Sequence, residues 1–297
     1  MKVFESLEQY PSRGRPAAVS IGNFDGVHRG HLGIIRKLRA HADRQDAAAT
    51  IVTFDPHPQK VLRGEAPEAL TTFERKLELL EEAGIDQTVV LRFTRSLSLV
   101  EPEEFIERIL FRRLRAKALV EGSIFRFGHM ARGDSTMLRR FGRKLGYAFE
   151  AVRVSELGGR LVSSTEIRYA IREGDLRWAN RALGRPHRLP GKVVRGSGRG
   201  RRLGFPTANL KVPPGLCVPK LGIYAGYLIF DGGRRPAAIS VGTNPTFGKN
   251  PLSVEAYVLD FEGDLGGREV ALDMVAWIRE EEAFPDAETL AQAISSD

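Results

Sequence analysis

Short apolar runs alternate with amphipathic stretches through the N-terminal part of the chain. Ala17–Phe24 and Ala49–Phe54 are rich in apolar and β-branched residues and predict strands. Between them, apolar positions at helical spacing predict a helix over about Leu32–Ala42. Thr71 and Glu74 have capping-box spacing and open a predicted helix through Ala83, with Gly84 placed to end it. Gln87–Phe93 predicts a third strand, and Pro102 suits the first turn of a helix to about Leu114. The alternation continues with a strand at Lys117–Gly122, a helix at Ser135–Leu145 and a strand at Phe149–Val154. Ser163 and Glu166 repeat the capping-box spacing and predict a helix to Arg172, ahead of Gly174. Such repetition implies a parallel sheet covered on both faces.

The pattern changes after Gly184. Segment 184–191, GRPHRLPG, carries prolines and glycines and reads as a linker. Beyond it, β-runs follow one another at Lys192–Arg195, Ile223–Phe230, Ala237–Val241, Val254–Phe261 and Val270–Ile278. Asp231-Gly232-Gly233 is a turn signal between two of them. A last helix is predicted over Asp286–Ile294. Short strands with glycine-rich turns predict a small antiparallel barrel. The expected domains are therefore 1–184 and 185–297.

A length of 297 residues agrees with two domains. A hydrophobic fraction of 42% and a charged fraction of 28% fit an ordinary globular protein and argue against disorder. Cys217 is the single cysteine, so no intramolecular disulfide and no multi-cysteine zinc site can form, and a reducing cytoplasm is expected. The start, MKVFESLEQYPSRGRP, lacks the apolar stretch of a signal peptide, and no run of about 18 apolar residues predicts a membrane span. A formal charge of +8 suits anionic ligands, nucleotides and nucleic acid alike.

Candidate chemistry concentrates in a few strings. GNFDGVHRGH (22–31) falls between a predicted strand and a predicted helix, at the sheet edge where ligands of such folds bind. The helix start offers N–H groups and a positive dipole end to phosphate. His28 and His31 share one face of the first turn, and Gly26 and Gly30 let the backbone approach closely. The plainer reading is a helix cap with two solvent-facing histidines. In SSTEIR (163–168), Ser164 and Thr165 can offer hydroxyls and amides to phosphate, with Arg168 one turn on, while Ser163 also reads as a simple N-cap. His57 sits between Pro56 and Pro58 in a rigid loop, as a ligand contact or a structural residue. Farther on, RGSGRGRRLG (195–204) supplies glycines and arginines, with no Walker A motif anywhere. Read alone it could be an RNA-binding tail, but it runs straight into GFPTANL. Glu255, on an alternating strand, reads as a solvated face residue by pattern alone.

GNFDGVHRGH resembles the HxGH signature of the nucleotidyltransferases. The longer string resembles the adenylyltransferase domain of bacterial bifunctional riboflavin kinase/FMN adenylyltransferases, also called FAD synthetases. VTFDPHP (52–58), FRFG (125–128) with Gly133-Asp134, and SSTEIR follow in that family's order. GFPTAN (204–209), GIYAG (222–226), VGTNPTF (241–247), VEAYVLDF (254–261) and WIREEEAF (277–284) resemble its riboflavin kinase half.

The resemblance implies an α/β Rossmann-like nucleotidyltransferase domain, then a small antiparallel β-barrel riboflavin kinase domain with a C-terminal helix. It implies phosphorylation of riboflavin to FMN, then adenylylation of FMN to FAD, with Mg²⁺ and ATP. In the first domain it makes His28, His31 and Arg168 catalytic. Gly22, Asn23, Phe24, Gly30, Ser163, Ser164 and Thr165 become ATP or phosphate contacts, and His57, Phe125, Arg126 and Asp134 flavin contacts. In the second domain Gly196, Gly198, Arg199 and Gly204 would face ATP, Thr207 and Asn209 hold Mg²⁺, and Arg279 meet flavin. Glu255 would be the general base for the ribityl primary hydroxyl.

Partners are then small molecules, with no nucleic acid and no membrane, and a homo-oligomer is left open. Two positions depart from the family: Ile124 replaces the usual Asp or Asn, and Gly266 replaces a usual Tyr. Ile124 motivates an alternative with only the kinase active beside a weakened nucleotide-binding domain. A non-enzymatic flavin- or RNA-binding protein is a third reading, opposed by the joint presence of His28, His31, Arg168, Thr207, Asn209 and Glu255.

Overall fold

The structure, a computed structural model, describes residues 1–11, 15–196, 207–243, 252–282 and 289. Contacts divide it into two compact units. The first holds Met1–Pro67 and Thr72–Ser163; the second holds Glu68–Thr71 and Ser164–Asp297.

The first unit runs β1 (Lys2–Phe4), β2 (Ala17–Ile21), α1 (Arg29–Arg44), β3 (Ala48–Asp55), α2 (Pro58–Arg63), α3 (Phe73–Glu82), β4 (Gln87–Arg92) and α4 (Arg95–Ser98). Then come α5 (Pro102–Glu104), a π-helical stretch (Phe105–Arg113), β5 (Ala116–Gly122), α6 (Ser135–Leu145), β6 (Ala148–Val152) and a small hairpin of β7 (Glu156–Leu157) and β8 (Arg160–Leu161). The six long-range strands form one parallel sheet, ordered β1-β4-β3-β2-β5-β6.

Successive residues of each strand feed opposite cores. Ala17, Val19 and Ile21 pack with Phe105, Ile106 and Leu110 of the π-helical stretch and Leu138 and Phe141 of α6. Ala18, Ala49 and Ile51 pack with Ile35 and Leu38 of α1 and Leu79 and Leu80 of α3. The sheet is thus covered on both faces, as the alternation predicts. Every residue of β2 is buried, as suits a central parallel strand.

Some local expectations change. α3 is capped by Thr72, whose hydroxyl accepts from the Arg75 N–H, rather than by Thr71. The helix from Pro102 passes into π geometry, with the Leu114 N–H donating to the Ile109 carbonyl, a wider turn that residue propensities do not announce. Gly84 ends α3 as expected, in the left-handed conformation.

The second unit opens with α7 (Ser164–Arg172) and α8 (Leu176–Leu183). β9 (His187–Val194), β10 (Thr207–Lys211), β11 (Gly222–Phe230), β12 (Gly233–Thr243), β13 (Leu252–Val258) and β14 (Glu269–Arg279) close an antiparallel barrel, ordered β10-β13-β12-β11-β14-β9. The expected linker is therefore a barrel strand. Pro190 pairs with Ala271 of β14, while β10 joins β9 only at Lys192–Val194. Proline thus lies on a stretch with one neighbour, where the missing N–H is tolerated.

α8 belongs to this barrel. Asn180 donates to the Met274 carbonyl (2.9 Å) and accepts from the His187 N–H (2.8 Å). The β11–β12 turn has Asp231 and Gly232 at φ 48° and 72°, the type I′ geometry its sequence predicts. The helix expected over 286–294 lies outside the described residues.

Candidate active sites

The first sheet winds in opposite directions from β2, so its switch point lies between β2 and β5. There GNFDGVHRGH leaves β2 and enters α1. Its backbone is left-handed at Phe24 (φ 48°), Gly26 (φ 77°) and Val27 (φ 37°). For the two side-chain-bearing residues this costs on the order of 1–3 kcal/mol each and persists only where surroundings enforce it.

His28 caps α1, its Nδ1 accepting from the His31 N–H at 3.4 Å. With Nδ1 accepting, the ring proton sits on Nε2, a donor suited to phosphate oxygen. The two imidazoles stack with centroids 3.7 Å apart, and Phe24 lies 4.8 Å from His31. His28 is buried, so the reading of two solvent-facing histidines fails for it. A Cβ on Gly30 would come within 3.1 Å of the His28 ring.

Asn23 ties this loop to the second motif. Its carbonyl accepts from Thr53 Oγ1 and from Lys76 Nζ, each at 3.3 Å. Its amide meets His57 Nε2 at 2.9 Å. His57 Nδ1 accepts from the Gln59 N–H at 3.2 Å, which turns Nε2 toward the Asn23 amide nitrogen. His57 therefore joins two loops, whatever else it touches.

On the other side of β2, the backbone ladder with β5 ends at Val19 and Leu119. Beyond it Glu121 Oε1 accepts from the Ile21 N–H at 2.6 Å, and Ser20 Oγ lies 3.5 Å from Oε2. Burial pushes the Glu121 carboxyl well above its ordinary range, against the opposing pull of those two donors. Burial also lowers the Lys76 ammonium, while Asp25 and Asp55 raise it.

The FRFG loop is pinned by a backbone exchange between Phe127 and Gly133, and a Cβ on Gly133 would strike the Phe127 ring. Phe125 stacks on Phe127 at 5.6 Å. Asp134 caps α6 through the Met137 N–H (2.8 Å) and pairs with Arg126 at 3.4 Å. Ser163 ends the first unit; Ser164, Thr165 and Arg168 open the second, where Arg168 Nε donates to the Glu68 carbonyl at 2.7 Å.

In the barrel, Ala208, Leu210, Ile239, Val241, Val254, Ala256 and Val258 are buried, and the alternate residues face outward. Closure brings Thr207, Asn209, Ser240 and Glu255 onto one outer face. Asn209 and Ser240 each stand opposite Glu255 in register. Thr207 Oγ1 donates to Glu255 Oε2 at 3.0 Å. Ser240 Oγ donates to Glu281 Oε1 at 3.0 Å, and a Cβ on Gly242 would collide with that carboxylate. A Cβ on Gly196 would likewise strike the Asn209 amide. Arg279 stands opposite Ile223, at the end of β14. Gly198, Arg199 and Gly204 lie outside the described residues.

The family description FAD synthetase matches residues 11–166, and the description riboflavin kinase matches 183–297. The chain belongs to the bifunctional riboflavin kinase/FMN adenylyltransferase family. A relative of that description from Pseudomonas fluorescens is 35% identical over 100% of this chain and 96% of its own length. One from Escherichia coli K12 is 33% identical, over 98% of this chain and 93% of its own. A solved Streptococcus pneumoniae chain described as a macrolide-efflux protein superposes with a TM-score of 0.91 at 25% identity, covering 99% of this chain and 96% of that one. That likeness is one of fold; among the described residues no helix is long and apolar enough to cross a membrane.

Against the family pattern, Ile124 is 73% exposed, so no core has repacked around it. With both halves matched by family, the kinase-only reading loses its ground. Two residues at these sites lay outside the motifs. Lys76 shares the buried stripe of α3 with Leu79 and Leu80, and Glu121 lies inside the apolar run of β5. A charge on an apolar stripe was the available signal for both.

Proposed function

We infer that this chain makes FAD in two ATP-dependent steps. The barrel phosphorylates riboflavin to FMN with release of ADP, and the first unit joins FMN to the adenylyl group of a second ATP with release of pyrophosphate. The observation that carries the kinase reading is the Thr207–Glu255 hydrogen bond with Asn209 opposite.

Thr207 holds one carboxylate oxygen of Glu255, which fixes its plane and leaves the other oxygen to take the proton of the ribityl primary hydroxyl as that oxygen attacks the γ-phosphoryl group. The donor set fits a hard cation. A hydroxyl and an amide oxygen stand two residues apart on one face, with the Gly196 backbone close against the amide. Thr207 and Asn209 would hold Mg²⁺, which would neutralise charge on the transferring phosphoryl group. The family resemblance assigns Gly196, Gly198, Arg199 and Gly204 to ATP and Arg279 to flavin.

Adenylyl transfer needs alignment more than acid–base help, since the FMN phosphate is already an anionic nucleophile. His28, His31 and the α1 N-terminus supply donors to the ATP phosphates beside Gly22, Asn23, Phe24 and Gly30. The family resemblance also assigns Ser163, Ser164, Thr165 and Arg168 to ATP phosphates. His57, Phe125, Arg126 and Asp134 form the flavin side. A cytoplasmic setting suits both steps.

Incubating the protein with riboflavin, Mg²⁺ and ATP and separating the flavins by chromatography tests this reading. FAD is expected. FMN alone would leave only the kinase, and no product would leave a binding protein. The module boundary has its own test. A fragment from Ser164 keeps α7 and α8, whereas one from Arg185 loses the Asn180 contacts. Both should phosphorylate riboflavin without making FAD, and the shorter one should melt several degrees lower. A folded Ser164 fragment without kinase activity would overturn the division of labour.

A further inference from the structure

Lys76 lies outside every motif string, on the buried face of α3 between Phe73 and Leu80. It is 8% exposed. A methionine or leucine would fill that volume without the cost of burying a charge. The ammonium instead ends where three elements meet. Nζ is 3.3 Å from the Asn23 carbonyl, 3.3 Å from Thr53 Oγ1 and 4.6 Å from the centre of the Phe73 ring. Asp25, after β2, and Asp55, at the end of β3, act on it electrostatically.

One of its two acceptors, the Asn23 carbonyl, belongs to the last residue before the left-handed run at Phe24, Gly26 and Val27, which carries the chain to His28. The same residue holds His57 through its side chain. Lys76, Asn23 and His57 thus make a continuous link from α3 across the GNFDGVHRGH loop to the Asp55–His57 loop. A rotation at Asn23 would displace everything downstream, including the capping imidazole.

We propose that Lys76 is a positioning residue for adenylyl transfer, fixing both loops through the Asn23 carbonyl. This rests on the adenylyltransferase reading of the first unit. The residue touches no reacting atom. Its loss loosens the frame on which His28 and His31 are aimed, and a misplacement of about 1 Å near the reacting centre costs roughly 10²-fold in rate.

The test uses the full chain with Lys76→Met and Lys76→Arg. FAD formation from FMN is measured per folded protein, with thermal unfolding alongside and riboflavin phosphorylation by the same chain as internal control. Lys76→Met should lower kcat for FAD formation by about 10–100-fold while KM for FMN and ATP moves less than about threefold. Lys76→Arg, which keeps charge and donors, should recover most of that loss, and the kinase rate should not change. If Lys76→Met does not fold, Lys76→Gln, which keeps an amide donor, is read by the same criteria. A folded variant with kcat within about threefold of wild type, or a loss that only follows the folded fraction, would overturn the proposal. If wild type itself makes no FAD, it is the adenylyltransferase reading that fails.

Discussion

The two units build their sites in opposite ways. In the first, the proposed phosphate-binding groups are local: one loop between β2 and α1 carries Gly22 to His31, and its geometry is set by the strand before it and the helix after it. In the second, the site is assembled across strands, with residues 207, 240, 255 and 281 meeting only because the barrel closes. A local loop must be braced from outside, by Lys76 and Glu121. A barrel face is rigid already and needs only the right alternation.

The buried ionisable groups differ in the same sense. Burial raises the Glu121 carboxyl well above its ordinary range, whereas His187, in the barrel, is an imidazole that burial lowers to about 4. His187 Nε2–H donates to the Cys217 carbonyl at 2.7 Å.

The largest expected effect separates the two chemistries. Glu255→Gln keeps shape and removes the base, and should cut kcat for FMN formation by about 10²–10⁴-fold while adenylylation of supplied FMN is untouched. A rate within about threefold of wild type would rule Glu255 out as the base. The reciprocal changes, His28→Ala and His31→Ala, should each cut FAD formation by about 10²-fold and spare the kinase. His28→Ala should in addition weaken α1 by about 1 kcal/mol, the scale of a lost cap, and His31→Ala should not. Equal loss of stability in both would mean that His28 does not act as the cap seen here.

The comparison of buried groups makes a pH prediction. His187 is neutral when folded and takes a proton when unfolded, so its contribution is lost as pH falls from about 6.5 towards about 4, to a limit of about 3 kcal/mol. Glu121 has the opposite sign: its raised folded pKa favours the fold at low pH and penalises it as pH rises. The barrel should therefore melt first at pH 5, followed by calorimetry of the whole chain. Glu121→Gln should raise the melting temperature of the first unit at pH 8 more than at pH 5. A gain that shrinks as pH rises would reverse the assignment.

The smallest effect is at Ile124. The exposed isoleucine lacks the hydrogen bond that Asp or Asn would give, a handicap of roughly twofold to 150-fold. Ile124→Asn should speed FMN-dependent pyrophosphate release within that range. A slower, folded variant would mean that this side chain contributes apolar contact to the substrate.

Much of this was legible beforehand, for a physical reason. The strand–helix alternation, the Gly84 stop, the Asp231-Gly232 turn and the HxGH loop are properties of neighbouring residues: side-chain periodicity, positive φ, and N–H groups at a helix start. The failures were of another kind. β10 is missing from the predicted β-runs, and the first part of β9 reads as linker because of Pro190; each is a strand because the barrel supplies a partner. Thr72 displaces Thr71 as cap by one residue, a difference set by how the chain enters α3.

The sequence by itself determined that two modules of different fold follow one another and in which order, since these rest on composition and local pattern. Only the tertiary structure decided that Thr207 meets Glu255, that Asn23 is held from both sides, and that a lysine and a glutamate of no motif lie buried beneath the first site. Those contacts join residues far apart in the chain. They form because burying two sheet faces and closing a barrel fixes which distant positions share a surface, a condition no local pattern encodes.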